Sequence, residues 1–454
     1  MATSSLSTIG SGLDIPTIVK QLVAAERAPA ANRINNQGTT ATAKLSALGN
    51  IKSSLSSLQT AMDAMGKAAD LRAYKTSVPE KSGFSATIVT DPSTGKTLAA
   101  AGTYNIEVLS LAQPQKLSSG AFDAEAVVGN GKLSIAWGEK DSISVDIAPG
   151  SNLTSIAAAI NSAAGGKGVN ATVITANDGQ HLVLNAVNAG TDGKLTVTAS
   201  GGNGGLSALA WDGSSGGMSQ ISAATNAHVR VDGFDRESSS NSISDIIAGV
   251  TLDLTKAEAG TTTPLTITQN NEPLKSAVQA FVAAYNASTS LLKSSSAYDA
   301  EKDQASVLTG DSMVRGLQQQ LRGQLSANVI DLKELGLTIT KDGTLSLDAS
   351  VFDKAMAKNP AAAEALVGKS GKLYEGMNSI LKSNLDSGTG TLVQRTDALN
   401  KEIKKLGKQL DDLDARMEKV SARYTAQFTA MDKLVSQMQG TSSYLSQQLS
   451  AMSG

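Results

Sequence analysis

A few short stretches of this chain carry residue types that could do chemistry. Gly95-Lys96-Thr97 follows a strand-like run and has the look of a phosphate loop, in which a glycine-rich backbone cradles phosphate oxygens and a lysine meets the outer ones. That pattern needs a further glycine where this chain has Thr90, so the cradle is missing and a turn with an exposed lysine is the simpler reading. Gly213-Ser214-Ser215-Gly216-Gly217 has the letters of a nucleophile elbow, yet the elbow requires a strand feeding the serine and a helix leaving it. Here it sits in a Gly/Ser tract with neither. His181 and His228 lie in strand-like runs with no H-x-x-x-H spacing and no carboxylate cluster, which argues against metal or general-base roles. Asp411, Asp412 and Asp414 read as the wet face of a helix. With no cysteine, disulfides, zinc-thiolate sites and thiol catalysis are excluded. No catalytic, cofactor or metal constellation emerges, and the chain reads as a non-enzyme.

The elements that would have to position any site are more informative. From about Thr391 to Met452, Leu399, Ile403, Leu406, Leu410, Leu413, Met417, Val420 and Tyr424 follow at spacings of four and three, the a/d seam of a heptad helix. Phe428 comes four after Tyr424, a stutter that locally unwinds a left-handed supercoil. Met431, Val435 and Met438 then resume the seam. Gly440 is expected to close this helix, leaving Tyr444, Leu445, Leu449 and Met452 as a short amphipathic tail. So long a seam needs a partner helix.

The opposite end of the chain supplies one. Asp14 is the expected N-cap, with Pro16 in the first turn and Ile18, Leu22 and Ala25 on one face; Pro29 is expected to end that helix. A second helix is predicted from about Asn32 to Met65, with Leu45, Leu48, Ile51, Leu55, Leu58 and Met62 at three/four spacing as the partner face for the C-terminal seam. The two ends of the chain then lie side by side and everything between is an insertion.

From Gly83 to Gln269 helical periodicity nearly vanishes, and short alternating runs bounded by Gly, Asp, Asn and Ser predict antiparallel β domains. One helix, around Leu153, Ile156, Ala157 and Ile160, interrupts them, capped by Ser151 or Asn152 and stopped at Gly165-Gly166. The run Gly201 to Gly217 is expected to be a flexible surface loop. Helices return at Pro273 with the seam Leu274, Val278, Phe281, Tyr285, Ser288 and Leu292, then at Asp311 through Val314, Leu317, Leu321 and Leu325. A hairpin signal at Leu337 to Leu347 precedes helices opened by Asp348 and Pro360.

The fold class is therefore multidomain α+β, with coiled-coil-like helical termini around inserted antiparallel β domains. Low aromatic content, 3 %, means cores of Ala, Val, Ile and Leu that bury less area per residue. A net charge of -2 offers nucleic acid and anionic membranes no basic face. No run approaches the roughly 18 apolar residues of a membrane span, and Met1 to Gly12 lacks the basic and apolar regions of a cleaved signal. Gly407 inside the seam costs about 1 kcal/mol relative to alanine, so such termini are marginal alone and firm up against neighbours.

Particular motifs resemble a known family. Gly10-Ser-Gly-Leu-Asp-Ile through Ala25-Glu26-Arg27-Ala-Pro29, and Arg423-Tyr-Thr-Ala-Gln-Phe through Met438 and Ser443-Tyr-Leu445, are similar to the flagellar hook-associated protein 2 family, the caps of bacterial flagellar filaments. Leu335-Gly-Leu, Asp342-Gly-Thr-Leu-Ser-Leu-Asp348 and Asn359-Pro360 resemble that family's leg domain. Leu153-Thr-Ser-Ile, Ala159-Ile-Asn161 and Val169-Asn-Ala-Thr-Val resemble a module of flagellar axial-protein heads.

The strand runs flanking the middle block share a style with each other, which splits the β region into an inner head domain (76–116 and 225–270) and an outer one (117–224). The resemblance implies a head-and-leg subunit, with a flexible helical terminal domain (1–40 and 417–454) and a leg (41–75 and 271–416). It implies a ring of identical copies at the filament tip that admits exported flagellin and helps it fold into place. Hook-associated junction proteins, and a cytoplasmic export chaperone on the C-terminal seam, are the further implied partners; nucleic acid, membrane insertion and cofactors are not. Export by the flagellar type III route to an extracellular location is implied as well. The rivals are a sister axial protein, either a junction protein or flagellin, of which Arg33-Ile34-Asn35 is a short echo, and a surface adhesin with a β head.

Overall fold

The computed structural model describes residues 14–452 with Lys140 excepted. The motif residues Gly10 to Leu13 lie outside the described residues. One helix, α1 (Ile15–Leu71), opens the fold. Asp14 caps it, accepting the Thr17 N–H at 3.2 Å on its carboxylate. Pro29 does not end it. A proline inside a helix costs about 3 kcal/mol, but alanines flank this one, and Ala30 and Ala31 pack against the C-terminal helix, so tertiary burial overrides the break.

Residues 71–273 form one compact unit. Its first β core lies between a five-stranded and a three-stranded antiparallel sheet. The larger runs in the order Tyr74–Ser77, Thr263–Gln269, Gly102–Ser110, Ala227–Val231, Phe234–Ser238, and the smaller Ser242–Ile247, Val250–Leu254, Phe84–Ile88. Alternation puts Ile106, Val108, Val229, Val231, Leu252 and Leu265 inside. The second core is built the same way from residues between Leu117 and Met218. A four-stranded sheet (Met218–Ser222, Lys116–Ser119, Gly179–Ala186, Val169–Ala176) and a three-stranded one (Asp141–Ile147, Gly131–Trp137, Leu195–Ser200) join α2 (Leu153–Ala164) around it. Asn152 caps α2 through the Ser155 N–H at 2.9 Å, and Gly165 stops it with φ 56°, the left-handed conformation glycine adopts without strain.

The Gly201 to Gly217 run is no free loop. A 3-10 turn at Gly205–Leu209 inserts Leu206 and Leu209 into the second core, and Trp211 follows them. Trp211 exchanges backbone hydrogen bonds with Val197 at 2.7 and 2.8 Å. Glycine content gave the appearance of a linker; three apolar anchors decide otherwise.

Of the described residues, 14–70 and 274–452 form the other unit. After α1 it contains α3 (Glu272–Ser295), α4 (Ser312–Ala327), α5 (Val329–Glu334), the hairpin Leu337–Ile339 with Leu345–Leu347, α6 (Ala349–Lys358), α7 (Pro360–Val367), α8 (Lys372–Leu385) and α9 (Thr391–Met452). The buried face of α3 is the predicted seam Leu274, Val278, Phe281, Tyr285, Ser288 and Leu292. Asp311 caps α4 and Asp348 caps α6. Gly440 does not close the last helix: it is absent from the positive-φ glycines, and helix continues through it to Met452. A glycine interior to a helix costs only about 1 kcal/mol, less than breaking so long a hydrogen-bonded run. Helix α8, with Leu373, Met377 and Leu381 buried, escaped the sequence reading although its four-residue spacing was legible.

Candidate functional site

The candidate site is the pairing of α1 with α9; among the described residues, the side chains singled out for chemistry are engaged in local contacts. Lys96 closes a turn in which its carbonyl accepts the Asp91 N–H at 2.8 Å. Ser215 is held by Asp212, with its hydroxyl 2.8 Å from the carboxylate. The Ser214 and Ser215 backbone N–H groups keep that carboxyl well below the usual carboxylate range. His181 lies between the Ser119 carbonyl, 3.0 Å from Nδ1, and the Asp178 carboxylate, 3.1 Å from Nε2. His228 pairs with Asp235 at 3.0 Å, which Arg230 also contacts at 2.9 Å. Among the described residues no group of three or more His, Asp or Glu is placed to hold a metal, and no helix is long and apolar enough to cross a membrane.

The helix pair is built as a narrow apolar strip with polar clasps. Leu406, Leu413, Met417 and Val420 of α9 are buried against Ala31 and Ile34 of α1, with Val23, Ala30, Leu410 and Tyr424 half-buried around them. Alanines on α1 let the two backbones approach, so the seam gains contact density from large residues on one side and small ones on the other. Arg27 donates through Nε to Asp414 at 2.6 Å, and the Tyr424 hydroxyl donates to Glu26 at 3.0 Å. The Arg27 bond holds the Asp414 carboxyl below its ordinary range and raises the Arg27 guanidinium.

The structure sorts the predicted seam residues into distinct surroundings. Leu48, Ile51, Leu55, Leu58 and Met62 are buried in the core shared with α3 to α8; Leu399 packs at its edge. Leu45 and Ile403 are half-buried. The α1 face against Leu406 to Val420 is thus the earlier one, around Ala31 and Ile34, which sequence reading passed over because alanines give a weak apolar signal. Between the two contact regions the helices leave a groove of about 750 Å³, floored by Ala41, Leu399 and Leu406 and rimmed by Arg33, Lys44 and Lys405. Beyond Tyr424, Phe428 and Val435 are half-buried, whereas Met431, Leu434 and Met438 stand 44, 57 and 64 % exposed. Tyr444, Leu445 and Leu449 are exposed too. An apolar stripe of this length without cover is the mark of a surface meant for a partner.

The family model described as "Flagellar hook-associated protein 2 N-terminus" matches residues 11–115, and that described as "Flagellar hook-associated protein 2 C-terminus" matches residues 224–440. The flagellar hook-associated protein 2 of Escherichia coli K12 is 36 % identical, over 99 % of this chain and 98 % of its own length. The chain belongs to the flagellar hook-associated protein 2 family. The A-type hook-associated protein 2 of Pseudomonas aeruginosa is 30 % identical over 99 % of the chain and 98 % of its own length. The solved D1-D2-D3 domains of the flagellar cap protein FliD from Escherichia coli match with a TM-score of 0.62 and 34 % identity, covering 78 % of this chain and 99 % of that one. Membership makes this a structural flagellar protein and not an enzyme. The mixed α+β architecture, with long terminal helices packed together and antiparallel β domains between them in sequence, is that of the solved cap protein. Neither family model reaches the second β core, which lies between residues 116 and 223.

Proposed function

We propose that this chain caps the distal end of the flagellar filament, as a ring of identical copies that admits exported flagellin and promotes its folding and insertion. The observation that carries this is the division of the α9 seam. Its first part is clasped by α1 within the subunit, while Met431, Leu434, Met438, Leu445 and Leu449 continue the stripe uncovered. Such a stripe is stable in water only when neighbours cover it: other copies and the filament tip in the assembled state, an export chaperone in the cytoplasm beforehand. Cyclic closure then supplies each copy with the same neighbour. Export by the flagellar type III route to the extracellular tip and contact with hook-associated junction proteins belong to the same reading, which rests on the family.

The test is a pair of substitutions, Leu410→Asp and Leu413→Asp, each placing a carboxylate in the seam. Cells carrying either variant should shed unpolymerised flagellin into the medium and lack filaments, while the β unit stays folded by circular dichroism. Immunogold labelling of unmodified cells should mark distal filament tips alone. Normal filaments in both variants, or label at the hook junction or along the filament, would overturn the reading.

A further inference from the structure

The chain contains two Asn-Gly sequences, Asn130-Gly131 and Asn203-Gly204. Asparagine before glycine is the sequence most open to intramolecular attack, because no Cβ shields the following backbone nitrogen. The fold treats the two very differently. Asn130 is half-buried and feeds directly into the strand Gly131–Trp137, where Gly131 is paired with Ile147 and Lys132 with both Asp146 and Ser200. A Cβ at Gly202 would fall 1.8 Å from the Asn130 carbonyl, so that backbone is packed as well as paired. Ring closure there would have to pull the first residues of a paired strand out of their sheet.

Asn203 is exposed, in a run where Gly201, Gly202 and Gly204 all have positive φ. A Cβ built on Gly204 meets nothing within 4 Å, so the space beside its α-carbon is open. The Asn203 amide oxygen accepts two backbone N–H groups, from Gly205 at 3.1 Å and from Asn130 at 3.3 Å. Donors already aimed at a carbonyl oxygen stabilise the oxyanion formed when its carbon is attacked.

We propose that Asn203 is a site of spontaneous deamidation, activated by this pair of donors. The Gly204 nitrogen gives up its proton to water and bonds to Asn203 Cγ, placing negative charge on the oxygen held by Gly205 and Asn130. The Cγ–Nδ2 bond breaks and ammonia leaves with a proton from water, giving a cyclic imide. Water then opens the ring to aspartate or isoaspartate; one water enters and one ammonia departs overall. Aspartate keeps the two hydrogen bonds and adds charge. Isoaspartate lengthens the main chain beside the turn that anchors Leu206 and Leu209, and loosens the second β core there. The inference does not depend on the capping role.

The test uses the purified full-length protein in mildly alkaline buffer, folded and in urea, with peptide mass mapping to follow both Asn-Gly sites and isoaspartyl methyltransferase to label isoaspartate. In the folded protein Asn203 should convert at least about tenfold faster than Asn130, and in urea the two rates should fall within about twofold of each other. Asn203→Gln should remove the label from that peptide alone. Equal rates in the folded protein, or Asn130 leading, would overturn the proposal.

Discussion

Arg27 and Asp414 stand 387 residues apart in sequence and 2.6 Å apart in space. The pair fixes the register of α1 against α9, because sliding one helix by a turn would move the guanidinium about 5 Å from its carboxylate.

Both groups are solvent-exposed, so the bond contributes alignment more than stability. Arg27→Asp should repel Asp414 and weaken filament capping, and the double variant Arg27→Asp with Asp414→Arg should restore it. Thermal midpoints of all three proteins should stay close. A double variant no better than the single one would show that register is set by the apolar strip alone.

Tyr374 donates its hydroxyl to Asp63 at 2.5 Å, tying α8 to α1. That bond, with burial and the negative charges of Asp63 and Asp70, pushes the tyrosine pKa up to about 12. A folded-state pKa above the unfolded one stabilises below the unfolded value, near 10, and is lost as pH rises toward 12. Tyr374→Phe should cost about 1 kcal/mol at neutral pH. It should also remove the part of the alkaline destabilisation that falls in that window, as read by urea unfolding at graded pH.

His181, on the strand Gly179–Ala186, joins the end of the strand Lys116–Ser119 to the hairpin turn at Asp178, with an acceptor at each ring nitrogen. The Ser119 carbonyl first and the Asp178 carboxylate second raise its pKa, and Asp178 is the charged group that acts on it. Because the protonated form is favoured in the fold, its contribution is complete below about pH 6.5 and fades as pH rises through the folded value. Protection of the Leu182 amide, whose N–H is held by Ser119 at 2.9 Å, should therefore rise on mild acidification when its exchange rate is compared with the intrinsic rate at the same pH. His181→Gln should abolish that dependence.

Where the apolar signal was strong the sequence was readable. The six seam residues of α3, the caps at Asp14, Asn152, Asp311 and Asp348, and the hairpin around Gly343 are all in place, because each is specified by local spacing or capping chemistry. Pro29 and Gly440 misled because their helix-breaking tendency, a few kcal/mol at most, is smaller than the packing and hydrogen bonding of a helix of 57 or 62 residues. The α1 side of the terminal pair was hidden for a different reason. Ala30 and Ala31 matter by being small, and smallness leaves no periodic mark that a hydrophobic pattern can register.

The distance in sequence between Arg27 and Asp414 also sets an order of events. In a chain delivered N-terminus first, all the strands of residues 71–273 are present before α4 to α9 arrive. Some pair locally, as Val169–Ala176 with Gly179–Ala186 does across a tight turn, and others, such as Tyr74–Ser77 with Thr263–Gln269, pair only when the end of the unit is reached. Helix α1 has no such option. Leu48, Ile51, Leu55 and Leu58 must wait for α3 to α8, and Ala31 and Ile34 for α9, before they are covered. The first helix of the described chain is therefore among the last to be covered, and it is closure of the clasp that hides its apolar face.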